Sequence, residues 1–313
     1  MNRSPTNPSA RSDPTDRQSR RSFLKATTAI TAATVGGLVP SAATAAESPA
    51  RAPRTDHGPL IDANVTLSRW PFRRLPLDET PLLVAKLRNH GVRRAWAGTF
   101  DALLHKDLGA ANTWLGAECR KHGRGILIPF GTVNPTLPDW EEELRRCHEQ
   151  HEMPGIRLYP NYHGYRLDDP RAARLLALAG QRGLIVQVAV LMEDERTQHP
   201  LVRVPYVDLA PLLARLKEEP VQRVVLLNWS RAVKGDLVPK LCAAGQVFFD
   251  TATVESVNGV ANLLKRVPRE RVLFGSHAPF FTLEAAALKL TESELTEADL
   301  AAIRSGNARG LLA

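Results

Sequence analysis

Short apolar runs alternate with amphipathic segments from Leu60 to the end of the chain. Each run is nearly continuous in Val, Ile and Leu, a composition typical of parallel strands that are covered on both faces. The segments between the runs repeat apolar residues at helical spacing, and the first begins with Thr80 and Pro81 and stops at Gly91, as capped helices do. The predicted strands cover residues 60–65, 92–98, 126–133, 155–159, 184–191, 223–229, 246–251 and 272–275.

The number and spacing of these strand–helix units predict the fold. Eight units in one unbroken series favour a closed (β/α)8 barrel of the α/β class, a TIM-like fold of ~250 residues. An open, doubly wound sheet is the rival architecture, but no G-x-G-x-x-G motif follows the first strand. Two helices are predicted after the last strand, over residues 283–290 and 297–305.

The residues before the first strand have a different pattern. Ser19–Lys25 reads SRRSFLK, and this arginine pair is followed by a mildly apolar run over 26–38 and by the small residues Ala43-Thr44-Ala45. That order predicts a twin-arginine (Tat) signal peptide over 1–45, a polar tether over 46–58 and a single barrel domain over 59–313. We expect recognition by the Tat export machinery and a bacterial periplasmic or extracellular location. The apolar run is too short to cross a bilayer, so no membrane anchor is expected.

The charge and the cysteine content argue against some classes of binding partner and metal site. The leader holds six Arg or Lys against two Asp, so its removal lowers the formal charge from +8 to +4 and leaves 268 residues. No Lys/Arg cluster with interleaved aromatic residues remains, which argues against a nucleic-acid partner. The three cysteines show no C-x-x-C spacing, which argues against a zinc knot or a disulfide framework. A small-molecule substrate is expected, and a homo-oligomer remains open.

Polar residues follow the predicted strands at their carboxyl ends, where barrels of this kind place their active sites. They include two aspartates, two asparagines, an arginine and a histidine: Asp62, Asn64, Arg157, Asn228, Asp250 and His277. His163 and Glu193 lie in the loops that follow the fourth and fifth strands. Carboxylates, imidazoles and an arginine around one pocket predict acid–base chemistry on an anionic or polar substrate.

Five motifs along the barrel resemble one known family. They are IDANV in the first strand, PGIRLYP, RVVLLN, RVLFGSHAPF in the eighth strand and IRSGNARGLL near the end. Together they resemble the amidohydrolase-related branch of the metal-dependent hydrolases. The resemblance implies a TIM-like barrel that hydrolyses amides, esters or lactones, or decarboxylates aromatic acids, usually with one or two divalent metals.

The metal-ligand positions of that family are where this sequence departs from it. Asn64 and Thr66 stand where the family has H-x-H, while Ala189 and Asn228 stand where it has histidines of the fifth and sixth strands. His277 stands where the family has the aspartate of the eighth strand. Neutral side chains are poor zinc ligands, so no metal is predicted at these positions. A relocated site for a divalent metal such as zinc remains open, with ligands drawn from His163, Glu193, Asp250 and His277.

The residues are therefore assigned roles without a metal. His277 is predicted to be the catalytic acid or base, with Asp250 or Asp62 orienting its ring. The predicted substrate-binding residues are Asn64, Trp70, Arg157, His163, Glu193, Asn228 and Phe280. Structural roles compete with these: an interior ion pair for Arg157, packing for the aromatic residues and His163, and a solvated loop for Glu193.

These assignments predict an exported hydrolase of amidohydrolase type. It would act on a carboxylate-bearing ester, lactone or amide without the usual metal. One alternative is a non-catalytic barrel that binds sugars or acidic metabolites. Another is a metal-dependent decarboxylase or hydrolase with relocated ligands.

Overall fold

Eight parallel strands form the centre of the molecule, in a computed structural model that describes residues 58–218, 222–233 and 235–313. The predicted signal peptide and residues 46–57 of the predicted tether lie outside the described residues. The strands are Leu60–Leu67 (β1), Val92–Thr99 (β2), Leu127–Pro129 (β3), Gly155–Leu158 (β4), Ile185–Ala189 (β5), Val224–Leu227 (β6), Val247–Asp250 (β7) and Val272–Leu273 (β8).

The strands pair in sequence order and close into a ring. Strands β1 to β3 form one continuous ladder and β4 to β8 form another. The two ladders are joined by the backbone amide of Arg157 in β4, which donates to Gly131 O, just after β3, at 2.6 Å. The other seam is closed by the Ala63 amide, which donates to Phe274 O at 2.9 Å. The prediction of a (β/α)8 barrel is confirmed.

Helices cover the outside of this ring. In chain order they are Thr80–Asn89 (α1), Asp101–Leu104 (α2), Leu108–Glu118 (α3), Trp140–Glu149 (α4), Pro160–His163 (α5), Pro170–Gln181 (α6), Leu212–Glu218 (α7), Leu237–Ala244 (α8), Gly259–Leu264 (α9), Leu283–Thr291 (α10), Glu297–Ala301 (α11) and Asn307–Leu312 (α12). Their apolar faces pack against the outer side chains of the strands, which explains why every residue of β1 is buried. No helix within the described ranges is both long and apolar enough to cross a membrane.

The structure differs from the predicted pattern mainly in short elements. Helices α2 and α5 have four residues each, too few for a periodic signal. The predicted last helix ends at Ser305, whereas the chain passes through a π-helical turn, Ala302–Gly306, and continues as α12. Leu311 of α12 packs in the same cluster as Ile61, so the last helix contributes to the barrel core.

Candidate functional site

Four side chains from separate strands meet at the carboxyl end of the barrel. We call Asn64, Asn228, Asp250 and His277 the floor network. The Asn64 amide nitrogen donates to Asn228 Oδ1 at 2.8 Å and to Asp250 Oδ2 at 2.7 Å. The backbone amide of Asn228 donates to Asp250 Oδ1 at 3.0 Å. All four residues are at most 2 % exposed, so the network is largely shielded from bulk water.

His277 is held in one neutral tautomer by this network. Its Nε2 donates to Met192 O at 2.8 Å, and its Nδ1 accepts from Asn228 Nδ2 at 3.2 Å. Burial lowers the pKa of His277 to about 4, and the cationic side chains of Arg157 and Lys289 act in the same direction. The imidazole is therefore uncharged at neutral pH, with Nδ1 as its unprotonated nitrogen.

The pKa values of the two aspartates at the site, Asp62 and Asp250, are raised rather than lowered. Asp250 accepts two hydrogen bonds within the floor network, yet burial raises its pKa to about 7. Asp62 Oδ1 accepts from the amides of Asn64 (3.0 Å) and Ser276 (2.9 Å), whereas Oδ2 has no partner among the described residues. Burial raises the pKa of Asp62 to about 6. Both carboxyl groups can thus exchange protons near neutral pH.

The backbone is unusual where these side chains leave their strands. Asn228 and His277 have φ values of 55° and 58°, in the left-handed region that costs energy for residues other than glycine. Gly275 permits the contact between β8 and the network, because a Cβ at this position would lie 2.9 Å from Asp250 Oδ2 and 3.1 Å from Asn64 Cβ. The local geometry is therefore imposed by tertiary packing.

Arg157 lies inside the barrel and is 1 % exposed. Its Nε donates to Gln187 Oε1 at 2.8 Å, while Nη1 donates to Val65 O at 3.0 Å and Nη2 to Trp96 O at 3.1 Å. Gly98 makes room for the guanidinium, since a Cβ there would lie 2.9 Å from Arg157 Nη1. The geometry favours a structural role for Arg157, held by amide and carbonyl oxygens rather than by an aspartate.

A cavity of about 220 Å³ opens above the floor network. His277 and Asn228 form part of its wall, together with Met192, Phe280 and Phe281. The wider cleft of about 450 Å³ near Ser68 and Trp114 contains none of the predicted site residues. The smaller cavity is therefore the candidate site, because it is the one that reaches the strand-end imidazole.

Charged residues from four loops surround the opening of this cavity. We call Arg73, Glu193, Asp194, Arg231 and Glu255 the mouth cluster. Arg73 pairs with the buried carboxylate of Glu193, and Arg231 bridges Asp194 and Glu255, with a 2.7 Å bond to the latter. The loops after β1, β5, β6 and β7 are thus joined by ion pairs.

Aromatic side chains form the wall beside His277. The Phe280 ring stacks on the His277 ring with centroids 4.9 Å apart and an interplanar angle of 21°. Trp70 packs edge-on against Phe280 at 5.0 Å and is also in contact with Phe72 and Phe100. The structure brings Trp70 and Phe280 together, but Phe280 lines the cavity and Trp70 lies behind it.

His163 lies apart from the cavity, at the end of α5. Its Nε2 is 2.9 Å from Ala102 O, and its ring packs near Tyr159 and Tyr165. Burial lowers the pKa of His163. This environment favours packing over substrate contact.

The residues predicted from the sequence therefore include the whole floor network but only Glu193 of the mouth cluster. Of the predicted site residues, His277, Asn228, Glu193 and Phe280 line the cavity, and Asn64, Asp250 and Asp62 lie beneath it. The cavity is also lined by residues that are not among the predicted site residues: Arg73, Leu191, Met192, Asp194, Thr197, Arg231, Thr253, Glu255 and Phe281. Arg73 follows Trp70 closely and Arg231 follows Asn228 closely, but sequence proximity does not indicate which way a loop side chain points.

The divalent metal implied by the resemblance does not fit the residues at this site. Ala189 offers no donor, and the amides of Asn64 and Asn228 are bonded to each other. Thr66 Oγ1 accepts from Arg157 at 3.2 Å, which leaves His277 as the one usual zinc ligand among the five positions. Across residues 58–218, 222–233 and 235–313, no group of three His, Cys, Asp or Glu side chains is arranged to hold a metal ion.

Comparisons with known proteins agree with the fold and with the family resemblance. Residues 70–217 match the family model described as amidohydrolase. The predicted resemblance to the amidohydrolase-related family is confirmed. A comparison with curated proteins gave no match.

Several solved structures share the barrel fold of this chain. 2,6-Dihydroxybenzoate decarboxylase from Rhizobium has a TM-score of 0.61 and 15% identity, over 81% of this chain and 98% of its own. A dihydroxybenzoic acid decarboxylase from Polaromonas, with bound manganese and the inhibitor 2-nitroresorcinol, has a TM-score of 0.63 and 15% identity, over 81% of this chain and 96% of its own. 5-Carboxyvanillate decarboxylase from Sphingomonas paucimobilis has a TM-score of 0.63 and 13% identity, over 81% of this chain and 98% of its own. Identities this low show the shared fold alone.

Proposed function

We propose that this amidohydrolase-related barrel is an exported hydrolase that acts on a small carboxylate-bearing ester, lactone or amide without the family's usual metal. The observation that carries the proposal is the placement of His277. It lines the cavity and offers Nδ1 as an unprotonated nitrogen, and the family resemblance gives it the place of the strand-eight aspartate. A hydrolase needs such a base beside a substrate-sized space.

The reaction would use the groups that face the cavity. His277 Nδ1 accepts a proton from water while the water oxygen attacks the substrate carbonyl carbon. The scissile C–O or C–N bond then breaks, and the same proton passes to the departing oxygen or nitrogen. The long bond from Asn228 Nδ2 to Nδ1, at 3.2 Å, is the contact that water would replace. Arginines of the mouth cluster would stabilise the developing negative charge.

A panel of carboxylate-bearing lactones, esters and amides tests the proposal, with hydrolysis followed by chromatography in the presence of a chelator. We expect turnover by the wild type and a decrease of about 10²- to 10⁴-fold for His277→Gln. His148→Gln, an exposed change on α4, is the matched control and should be neutral. Because the pKa of His277 is about 4, protonation of this imidazole should not lower the rate between about pH 8 and about pH 5. A strict requirement for added zinc or manganese would reject the metal-free mechanism.

A non-catalytic binding barrel is the second candidate. It is favoured by the observation that both ring nitrogens of His277 are already hydrogen-bonded to the protein. This alternative is expected to give ligand-dependent thermal stabilisation with no product from any substrate in the panel. The assay should also record released CO₂, because solved structures similar to the chain include decarboxylases.

Export is proposed from the leader sequence alone. Replacement of Arg20 and Arg21 by Lys is expected to retain the protein in the cytoplasm of a Tat-competent host, as judged by cell fractionation. Unchanged export of that variant would contradict the assignment.

A further inference from the structure

We propose that Arg73 forms an anion-binding subsite at the cavity mouth and holds the carboxylate of the ligand. The class of ligand, a carboxylate-bearing compound, rests on the proposed function. Arg73 itself is not among the predicted site residues. The sequence directed attention to Arg157, which lies inside the barrel instead.

Two contacts from different loops fix the orientation of the Arg73 guanidinium. Its Nη1 donates to Glu193 Oε1, and the Glu193 side chain is only 3 % exposed. Its Cζ lies 5.5 Å from the centroid of the Phe280 ring, within the range of a cation–π contact. Phe280 in turn stacks on His277, so Arg73 is positioned relative to the catalytic imidazole. A preorganised guanidinium loses less entropy when it binds a ligand.

The same side chain retains free hydrogen-bond donors. A guanidinium has five N–H groups in a planar fork, and Glu193 engages one nitrogen of Arg73. Within the described ranges, Arg73 Nε and Nη2 have no protein acceptor, and the side chain is 44 % exposed. The Nε and Nη2 edge matches the two oxygens of a carboxylate.

The other two arginines near the site lack this feature. Arg157 uses Nε, Nη1 and Nη2 inside the barrel. Arg231 uses both terminal nitrogens on carboxylates, with Nη1 bonded to Asp194 and Nη2 to Glu255. Arg73 is therefore the cavity-lining arginine whose charge is offset by a single carboxylate.

Benzoate is a suitable probe because its ring suits Phe280 and Phe281 and its carboxylate suits Arg73. Benzamide has nearly the same shape without the charge. Calorimetric titration of the full-length chain should show tighter binding of benzoate than of benzamide. Arg73→Gln should weaken benzoate binding about ten- to hundredfold and leave benzamide binding nearly unchanged. Arg73→Lys should recover only part of the loss, because an ammonium cannot form the bidentate pair.

Arg74→Gln is the matched control. Arg74 is the next residue, pairs with Asp78 at 2.9 Å and lies outside the candidate cavity, so its loss should leave both affinities unchanged. Circular dichroism and the melting temperature would establish that each variant is folded.

The assignment is overturned if the wild type binds benzoate no better than benzamide, or if Arg73→Gln leaves benzoate binding unchanged. Failure of the hydrolase proposal would look different. Benzoate binding that depends on Arg73, without turnover of any substrate, would keep the subsite and leave the protein as a binding barrel.

Discussion

The floor network lies beneath the cavity and the mouth cluster surrounds its opening, and the two regions hold their polar groups by different means. The floor residues project from strand ends, are buried and match donors to acceptors at 2.7–3.2 Å. The mouth residues project from loops and form ion pairs in which each arginine is about a third or more exposed. Exposed ion pairs contribute little stability, whereas an orphaned buried polar group costs a great deal. Changes at the floor should therefore affect folding, and changes at the mouth should affect binding.

Replacement of the interior arginine gives the largest expected effect on stability. Arg157→Leu leaves Val65 O, Trp96 O and Gln187 Oε1 without their donor, each at a cost of ~1–3 kcal/mol. We expect the free energy of unfolding to decrease by about 3–5 kcal/mol in urea titrations. The matched change in the mouth, Arg231→Leu, should cost under about 1 kcal/mol, because its partners Asp194 and Glu255 are partly exposed to solvent. Equal losses for the two variants would erase the distinction between the regions.

If Arg157→Leu does not accumulate as folded protein, Gln187→Leu provides a milder form of the same test. It removes one acceptor for Arg157 Nε and one donor to Ala63 O. An intermediate loss of stability is expected.

Titration of Asp250 in the floor network gives the second-largest expected effect on the free energy of unfolding. The folded pKa of Asp250 is about 7, above its ordinary value of 3.8, so the folded state binds this proton more tightly than the unfolded state. The resulting stabilisation is complete below about pH 4 and is lost as the pH rises through 7. It amounts to at most about 4 kcal/mol. Asp62, with a pKa of about 6, adds a smaller loss over about pH 4–6.

Asp250→Asn isolates the larger of these contributions. Unfolding free energies at pH 5 and pH 7 should differ less in this variant than in the wild type, because the amide does not titrate. Asp208→Asn, a change at an exposed residue, should preserve the wild-type difference. An unaltered pH dependence in Asp250→Asn would mean that the carboxyl group is not desolvated as the floor geometry requires.

Gly275→Ala gives the smallest of the stability effects. The added methyl group would lie 2.9 Å from Asp250 Oδ2, and overpacking of this kind costs ~1–3 kcal/mol. Gly310→Ala is the control, because a Cβ at this position in α12 meets nothing within 4 Å and alanine favours the helix. We expect a lower melting temperature for the first variant and an equal or higher one for the second. Tolerance of Gly275→Ala would show that the floor network can relax.

Much of the barrel was accessible from sequence because its signal is local and repeated. Continuous apolar strands recur eight times, several of them followed by helices that begin at a cap and stop at glycine, and closure follows from the number of strands. Elements without such a signal were missed: the four-residue helices α2 and α5 are too short to show a period. Helix α12 follows Gly306, which looks like a stop signal, and Leu311 folds into the core after it.

The candidate site divides along the same line. Strand-end residues such as Asn228, Asp250 and His277 were predicted as site residues, because parallel strands bring their carboxyl ends to one side of a barrel. The functional roles given to them remain proposals. Arg157 was placed at the same rim by this rule, but its long side chain turns into the barrel, where Gly98 leaves space for it.

The sequence by itself determined the series of strands and helices and the closed barrel, since these depend on residue type and local spacing. Tertiary structure alone decided which polar groups face the cavity. Loop conformation directs Arg73 toward Glu193 and Phe280, and burial brings the pKa of His277 down to about 4 and that of Asp250 up to about 7. The direction of a side chain and its burial depend on neighbours that are distant in the chain, such as Glu193 for Arg73 and Met192 for His277, and no local pattern records them.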